Sequence, residues 1–146
     1  MRSYFCRLAL IIGFLGCADS PVTHDEVLAA KTATEFAEAA FVQQDIQSAH
    51  ARLSDAAKRY LSVNDMREAL SKLHPRGYPS RVVATEYEPI PAEQKAIYIF
   101  LVGQGSGQPL RYRLTMERTA SSDYKVAVFD RVYGHSESPL RKSLHP

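Results

Sequence analysis

The spacing of apolar residues changes from a helical period to a period of two near the middle of the chain. Between residues 23 and 74, apolar side chains recur every three or four positions, which is typical of amphipathic helices. From residue 81 onwards they alternate with polar residues or fill short continuous runs, which indicates β-strands. Helices followed by a meander of strands predict an α+β domain, with N-terminal helices packed on an antiparallel sheet of about four strands.

Local signals place the individual elements. A capping box at Thr23 and Glu26 predicts the start of a long helix that reaches about Gln44. A short helix is predicted from Asp45, an irregular turn over 54–61, and a third helix that Ser62 caps and His74–Pro75 ends. The predicted strands cover 81–87, 95–102, a stretch beginning at Leu110, and 124–132.

The first seventeen residues have the layout of an export signal. Arg2 and Arg7 are basic, residues 8–15 form an apolar run, and no acidic residue occurs before Asp19. The run is too short to cross a bilayer as a permanent helix. Phe14-Leu15-Gly16-Cys17 resembles the lipobox of bacterial lipoproteins, although Phe14 stands where that family usually has Leu. The resemblance implies that Cys17 is acylated and becomes the mature N-terminus.

The count of cysteines agrees with this interpretation. Cleavage before Cys17 removes Cys6, and a single remaining thiol cannot form an internal disulfide. The implied organisation is a signal peptide over 1–16, the lipidated Cys17 with a short tether to residue 22, a domain over 23–133, and a polar tail over 134–146. An anchor of this kind places the protein in the bacterial cell envelope. Ala18, rather than Asp, follows the cysteine, and resemblance to proteobacterial sorting then favours the outer membrane facing the periplasm, in a host that has one. Two alternatives remain open, namely an ordinary secretory signal cleaved near Ala18 and an uncleaved apolar anchor.

Charge and residue spacing argue against several classes of function. The chain has 18 basic and 16 acidic residues, and the signal segment carries two of the basic ones, so the remainder is neutral. No net positive field therefore favours nucleic acid as a partner. The histidines lie at least ten residues apart, so none forms the helical pair typical of zinc enzymes. They are His24, His50, His74, His135 and His145. We expect neither a metal nor a cofactor.

The order of elements resembles the nuclear transport factor 2-like (cystatin-like) superfamily. The resemblance rests on Phe36-Ala37, Ala40-Phe41, Asp45, Ala49, Leu53-Ser54, Tyr60, Met66 and Leu70, and on the strand 124–129. It covers about residues 24–133 and implies a curved sheet whose concave face holds the helices as a cone. It is closest to small bacterial lipoproteins of unknown function with this fold. Because one fold hosts many functions, the resemblance alone does not select an activity.

Enzymes of the superfamily place Asp, His or Tyr inside the cone, and this chain has residues of those types. The weak catalytic candidates are Asp45, His50 and Tyr60, followed by Tyr87, Tyr98 and Tyr112. His50 beside Asp45 or Asp55 could make a charge-assisted pair that tunes a base. In the structural alternative, Asp45 starts a helix and the tyrosines belong to the core. The expected function is therefore a binding or accessory module, and the alternative is a small isomerase, dehydratase or hydrolase.

Strand 95–102 predicts a further partner because both of its faces are apolar. Ile97, Ile99 and Leu101 lie on one face, and Ala96, Tyr98, Phe100 and Val102 lie on the other. The last strand is similar, with Tyr124, Val126 and Val128 expected opposite Ala127 and Phe129. A sheet covered by one helical layer should have one polar face. The sequence therefore predicts a homodimer formed sheet to sheet, a different envelope protein on this face, or cover from the tail around Leu140 and Leu144.

Overall fold

The computed structural model describes residues 23–134 and 137–144. The signal segment, the tether and Cys17 lie outside the described residues. The helices are α1 (Glu26–Ala37), which continues as a π-helical turn over Glu38–Val42, α2 (Ile46–Ala51), α3 (Asp55–Tyr60) and α4 (Val63–Leu73). The strands are β1 (Arg81–Pro89), β2 (Ala96–Gln104), β3 (Leu110–Arg118), β4 (Tyr124–Arg131) and β5 (Lys142–Ser143).

The strands form one antiparallel sheet in the order β4-β3-β2-β1-β5. The helices pack on one face of this sheet, so the predicted α+β class is confirmed. Alanine at four buried positions of α1 (Ala29, Ala30, Ala33 and Ala37) lets the helix approach the strands closely. Within the described residues, no helix is both long enough and apolar enough to cross a membrane.

Side chains that cap the helices fix where two of them begin. Asp45 caps α2 by accepting the Ser48 N–H at 3.1 Å, as its position in the sequence predicts. Ser62 and Asp65 form the capping box of α4. The predicted box at Thr23 is wrong, since the cap of α1 is Asp25, whose carboxylate accepts the Leu28 N–H at 2.9 Å.

The stretch predicted as an irregular turn is helix α3. Ser54 is its cap and accepts the Ala57 N–H at 3.2 Å. Sequence periodicity missed this helix because none of its residues is buried, and it therefore carries no apolar stripe.

A β-bulge changes the predicted faces of β4. Met116 pairs with Val126 and Thr115 pairs with Val128, which leaves Ala127 as an extra residue. Val128 therefore points away from the helices and is 47% exposed, while Phe129 packs against Phe36 at a ring-centroid distance of 5.4 Å. The expectation that Val126 and Val128 share a face is wrong for this reason.

The described part of the C-terminal segment returns to the sheet. Lys142 and Ser143 pair antiparallel with Tyr87 and Glu86 of β1. The Leu144 N–H donates to the Thr85 carbonyl oxygen at 3.0 Å, and its side chain packs against the helix-side core. The polar tail predicted over 134–146 thus contributes a short edge strand.

Candidate functional site

The three catalytic candidates from the sequence have separate local roles. Asp45 is exposed and caps α2, and its hydrogen bonds from Ser48 lower the pKa of its carboxyl group. The His50 Nε2–H donates to the Leu61 carbonyl oxygen at 2.8 Å, which ties α2 to the end of α3. Tyr60 is 86% exposed. No hydrogen bond joins any two of these three described residues, so the structure does not bring them together as a site.

The remaining tyrosine candidates also lie in different parts of the fold. Tyr87 packs partly against the helix-side core, whereas Tyr98 lies on the opposite face of the sheet. Tyr112 is 1% exposed and lies between the helices and the sheet.

The space between the helices and the sheet is filled by large side chains. Phe36, Phe41, Leu114 and Met116 are all 0% exposed. Phe36 and Phe41 meet edge to face with ring centroids 6.0 Å apart, and Phe41 lies 4.5 Å from the Tyr112 ring. The region where a cone-shaped active site would lie is a packed apolar core in this chain.

One polar pair lies inside this core. The His74 Nε2 is 2.8 Å from the Tyr112 hydroxyl oxygen, and the His74 Nδ1 is 2.9 Å from the Leu70 carbonyl oxygen. Since a carbonyl oxygen can only accept, Nδ1 carries the proton and donates to Leu70. Nε2 then accepts from the Tyr112 hydroxyl. Both ring nitrogens and the hydroxyl are therefore satisfied within the protein.

Burial holds this pair in its neutral form. Burial lowers the pKa of His74, and the nearby positive charge of Arg131 lowers it further. The hydrogen bond to the Leu70 carbonyl oxygen raises this pKa and so offsets part of the shift. Burial also raises the pKa of Tyr112. The Tyr78 ring stacks on His74 with ring centroids 4.3 Å apart. His74 is 5% exposed and Tyr112 is 1% exposed, so the pair lies within the core.

Sequence reasoning singled out Tyr112 but missed its partner. His74 was interpreted only as the end of α4. It follows Met66 and Leu70 at four-residue steps, so it continues the buried face of that helix. That spacing is the signal that could have placed His74 in the core.

The opposite face of the sheet, which we name the outer face, is built from aromatic rings covered by arginines. Phe100 is 7% exposed although no helix lies above it. The Arg141 guanidinium lies 3.9 Å from the Phe100 ring centroid, and that of Arg113 lies 4.9 Å from the Tyr98 ring centroid. These are cation–π geometries, in which the guanidinium plane covers the ring and keeps its charge near water.

Carboxylates hold both arginines in place. Glu88 accepts the Arg141 Nε–H at 3.3 Å and the Ser138 hydroxyl at 2.9 Å, which fastens the C-terminal segment across β1. The Glu88 and Arg141 side chains are each 15% exposed. Asp130 of β4 accepts from Arg113 at 3.3 Å, on the same face of the sheet. The C-terminal segment therefore covers the β1 side of the outer face, and the β4 side around Val128 stays open.

No family model, curated protein or solved structure matches this chain. Within residues 23–134 and 137–144, no group of three or more His, Cys, Asp or Glu residues is placed to hold a metal ion.

Proposed function

We propose that the protein is a lipid-anchored component of the bacterial cell envelope whose domain is a binding or accessory module. The anchor is the acylated Cys17, and the domain follows it after a short tether. The family of the domain is proposed to be nuclear transport factor 2-like, on the order of its helices and strands.

The observation that carries the binding-module assignment is the packed interior. An enzyme of this class needs titratable groups that face a cavity open to substrate. Here Phe36, Phe41 and Leu114 fill that space and are 0% exposed. A domain whose interior serves only as a core must bind through its surface.

The surface proposed for binding is the outer face, and its proposed occupant is a second copy of the chain. Val128 is 47% exposed there, and Thr115 of β3 lies between it and the half-buried Tyr98 of β2. Two copies related by a twofold axis would each contribute the surface around Val128 to the contact. The C-terminal segment limits this contact to the β2–β4 side, because Arg141 already covers Phe100.

The His74–Tyr112 pair is the one observation that favours the alternative of a small isomerase, dehydratase or hydrolase. The two groups face each other at 2.8 Å inside the interior. Catalysis there would require Tyr78 to leave its stack on His74, which would open a path to the pair. Proton exchange of the His74 ring measured by NMR separates the alternatives. A core pair keeps its Nδ1 proton protected, whereas a catalytic pair exchanges it rapidly with water.

The anchor is tested by mass spectrometry of the protein extracted from membranes of a bacterium that expresses the full chain. We expect a mature N-terminal Cys17 that carries acyl chains. Cys17→Ser should abolish the modification and release or misprocess the protein. Cys6→Ser, a matched change within the signal segment, should leave it intact. An unmodified mature N-terminus at Asp19 would contradict the proposal.

A further inference from the structure

The described chain enters the fold at one end of the sheet. The His24 Nδ1 lies 3.1 Å from the Tyr124 hydroxyl oxygen, and the Asp25 N–H donates to the same oxygen at 3.1 Å. Tyr124 pairs across the sheet with Arg118. Burial and then the nearby Arg118 guanidinium lower the pKa of His24, which agrees with this placement. Residue 23 is therefore held beside the turn that joins β3 to β4.

A cleft of about 740 Å³ opens at the same end of the sheet. Its lining includes four basic side chains from four different elements or turns, and two acidic ones. The basic residues are Arg59, Lys95, Arg118 and Lys125, and the acidic residues are Asp55 and Glu117. The lining thus has an excess of two positive charges, in a chain whose portion after the signal segment is neutral by count.

Among the described residues, the four basic groups of the cleft make no direct ion-pair contact, although Glu117 is the cross-strand neighbour of Lys125. None of them forms an ion pair within the part of the chain that the structure describes, and the Arg118 guanidinium donates to the Ser122 hydroxyl at 3.2 Å. Two further carboxylates lie in the adjoining turns and keep their negative charge, since they accept from a hydroxyl and a backbone N–H rather than from a cation. Asp123 accepts from the Ser121 hydroxyl at 3.2 Å, and Glu93 accepts the Lys95 N–H at 3.1 Å.

The length of the tether limits how far the cleft can lie from an anchor. Cys17 precedes Thr23 by six residues, and six extended residues span about 20 Å. A lipid on Cys17 therefore holds this end of the sheet within about 20 Å of the bilayer surface. A tether of this length therefore lets the cleft reach the phosphates of the lipids.

We propose that the cleft lined by Arg59, Lys95, Arg118 and Lys125 is the membrane-facing site of the domain and binds the anionic headgroups of phospholipids. This proposal rests on the anchor at Cys17. Tethering raises the effective concentration of headgroups at the cleft, so a site that is weak in free solution is occupied on the membrane. The domain is then oriented with the β3–β4 turn towards the lipid and the outer face free for a partner.

The experiment uses the chain from residue 17, in which Cys17 is the only cysteine. All residues of the buried core lie between Ala29 and Val126, so this chain retains the whole core. Its thiol is coupled to a maleimide lipid in preformed vesicles, which supplies an anchor without cellular acylation. The measured quantity is the rate at which a membrane-impermeant reagent acylates each lysine, read by peptide mass spectrometry.

We expect Lys95 and Lys125 to react at least about fivefold more slowly on vesicles containing phosphatidylglycerol than on phosphatidylcholine vesicles. Each cation near an anionic surface raises the affinity for that surface by about this factor. Lys31 and Lys142, exposed elsewhere on the molecule, should react equally on both. Arg59→Glu/Arg118→Glu should abolish the protection. The control Arg76→Glu/Arg81→Glu, which removes the same charge at the opposite end of the sheet, should retain it.

Equal rates for Lys95 and Lys125 on the two kinds of vesicle would overturn the proposal. Protection by inorganic phosphate on phosphatidylcholine vesicles would also overturn it, because the cleft would then be a site for small anions. Because the maleimide lipid replaces cellular acylation, failure of the anchor in cells and failure of the cleft are separate results.

Discussion

The two faces of β2 are similarly apolar in sequence but are covered by different chemistry. On the helix side, Ile97, Ile99 and Leu101 are at most 1% exposed and lie beneath α1 and its π-helical extension. On the outer face, Tyr98 and Phe100 lie beneath arginine side chains that carboxylates hold in place. The first cover is apolar, and the second is charged.

This difference shows why an apolar strand face does not by itself predict a missing protein partner. Guanidinium groups can cover aromatic rings while they stay hydrated. Part of the outer face is satisfied within the chain in this way. The exposed Val128 on β4 lies outside this arginine cover, and it marks the part of the outer face where we propose that a second copy binds.

The largest expected effect is a loss of stability when one aromatic ring is removed from either face of the sheet. Phe41→Ala should lower the free energy of unfolding by about 3–5 kcal/mol, because the cavity is left in a closed core. Phe100→Ala should cost less, about 1.5–3 kcal/mol, since a single surface side chain, Arg141, covers this ring instead of a closed core. Urea denaturation followed by circular dichroism measures both. Equal losses would show that removal of either ring leaves an equally closed cavity.

The next effect concerns the polar pair in the core. Tyr112→Phe removes the hydroxyl that donates to His74 and leaves a buried nitrogen without its partner. The expected cost is about 1–3 kcal/mol in the free energy of unfolding. Tyr87→Phe serves as the control because Tyr87 is only partly buried, and it should change stability little. A cost below that of the control would place His74 in contact with water.

Replacement of the arginines tests the outer cover. Arg141→Ala removes the stack on Phe100 and the bond to Glu88, and should cost about 1–2 kcal/mol. Arg113→Ala, at a pair that is more exposed, should cost about 0.5–1 kcal/mol. The reverse order, measured by thermal or urea unfolding, would mean that the C-terminal segment is not fastened by Arg141.

The smallest expected effect is a dependence of stability on pH. The pKa of His74 is lower in the folded state than in the unfolded state, so acid favours the unfolded chain, which binds the proton more readily. The contribution of His74 to the free energy of unfolding is fully present above its ordinary pKa of about 6.5. This contribution is lost as the pH falls below that value. His24 acts in the same direction because its pKa is also lowered.

The pH effect is measured as the change in the free energy of unfolding between pH 7 and pH 5. We expect His74→Gln to reduce that change more than His24→Gln does, since His74 is 5% exposed and His24 is only half-buried. If neither variant altered the change, carboxyl groups alone would account for the acid sensitivity.

Features set by neighbouring residues could be predicted from the sequence, and those set by distant contacts could not. The Ser62–Asp65 cap follows from a local pattern and is confirmed, and the four long strands begin at or within one residue of their predicted starts. The cap at Thr23 is predicted two residues too early, because His24 and Asp25 are held outside the helix by Tyr124, about a hundred residues later in the chain. The β4 bulge likewise depends on pairing with β3 rather than on its own sequence.

The candidate site was less predictable than the fold. Asp45, His50 and Tyr60 share a region of the sequence, but their contacts are local and they do not converge. The buried pair joins His74 to Tyr112, 38 residues apart, and no spacing rule links them. Periodicity identified Tyr112 as a residue facing inward but could not supply its partner.

Sedimentation velocity tests most directly the central claim that the inner face is a core and the outer face is the binding surface. The chain from residue 18 should form dimers as its concentration rises, and Val128→Asp should keep it monomeric without changing its circular dichroism spectrum. Val27→Asp, an exposed valine on α1 away from the outer face, should dimerise as the unaltered chain does. A strict monomer at high micromolar concentration, or a dimer that Val128→Asp leaves intact, would contradict the claim.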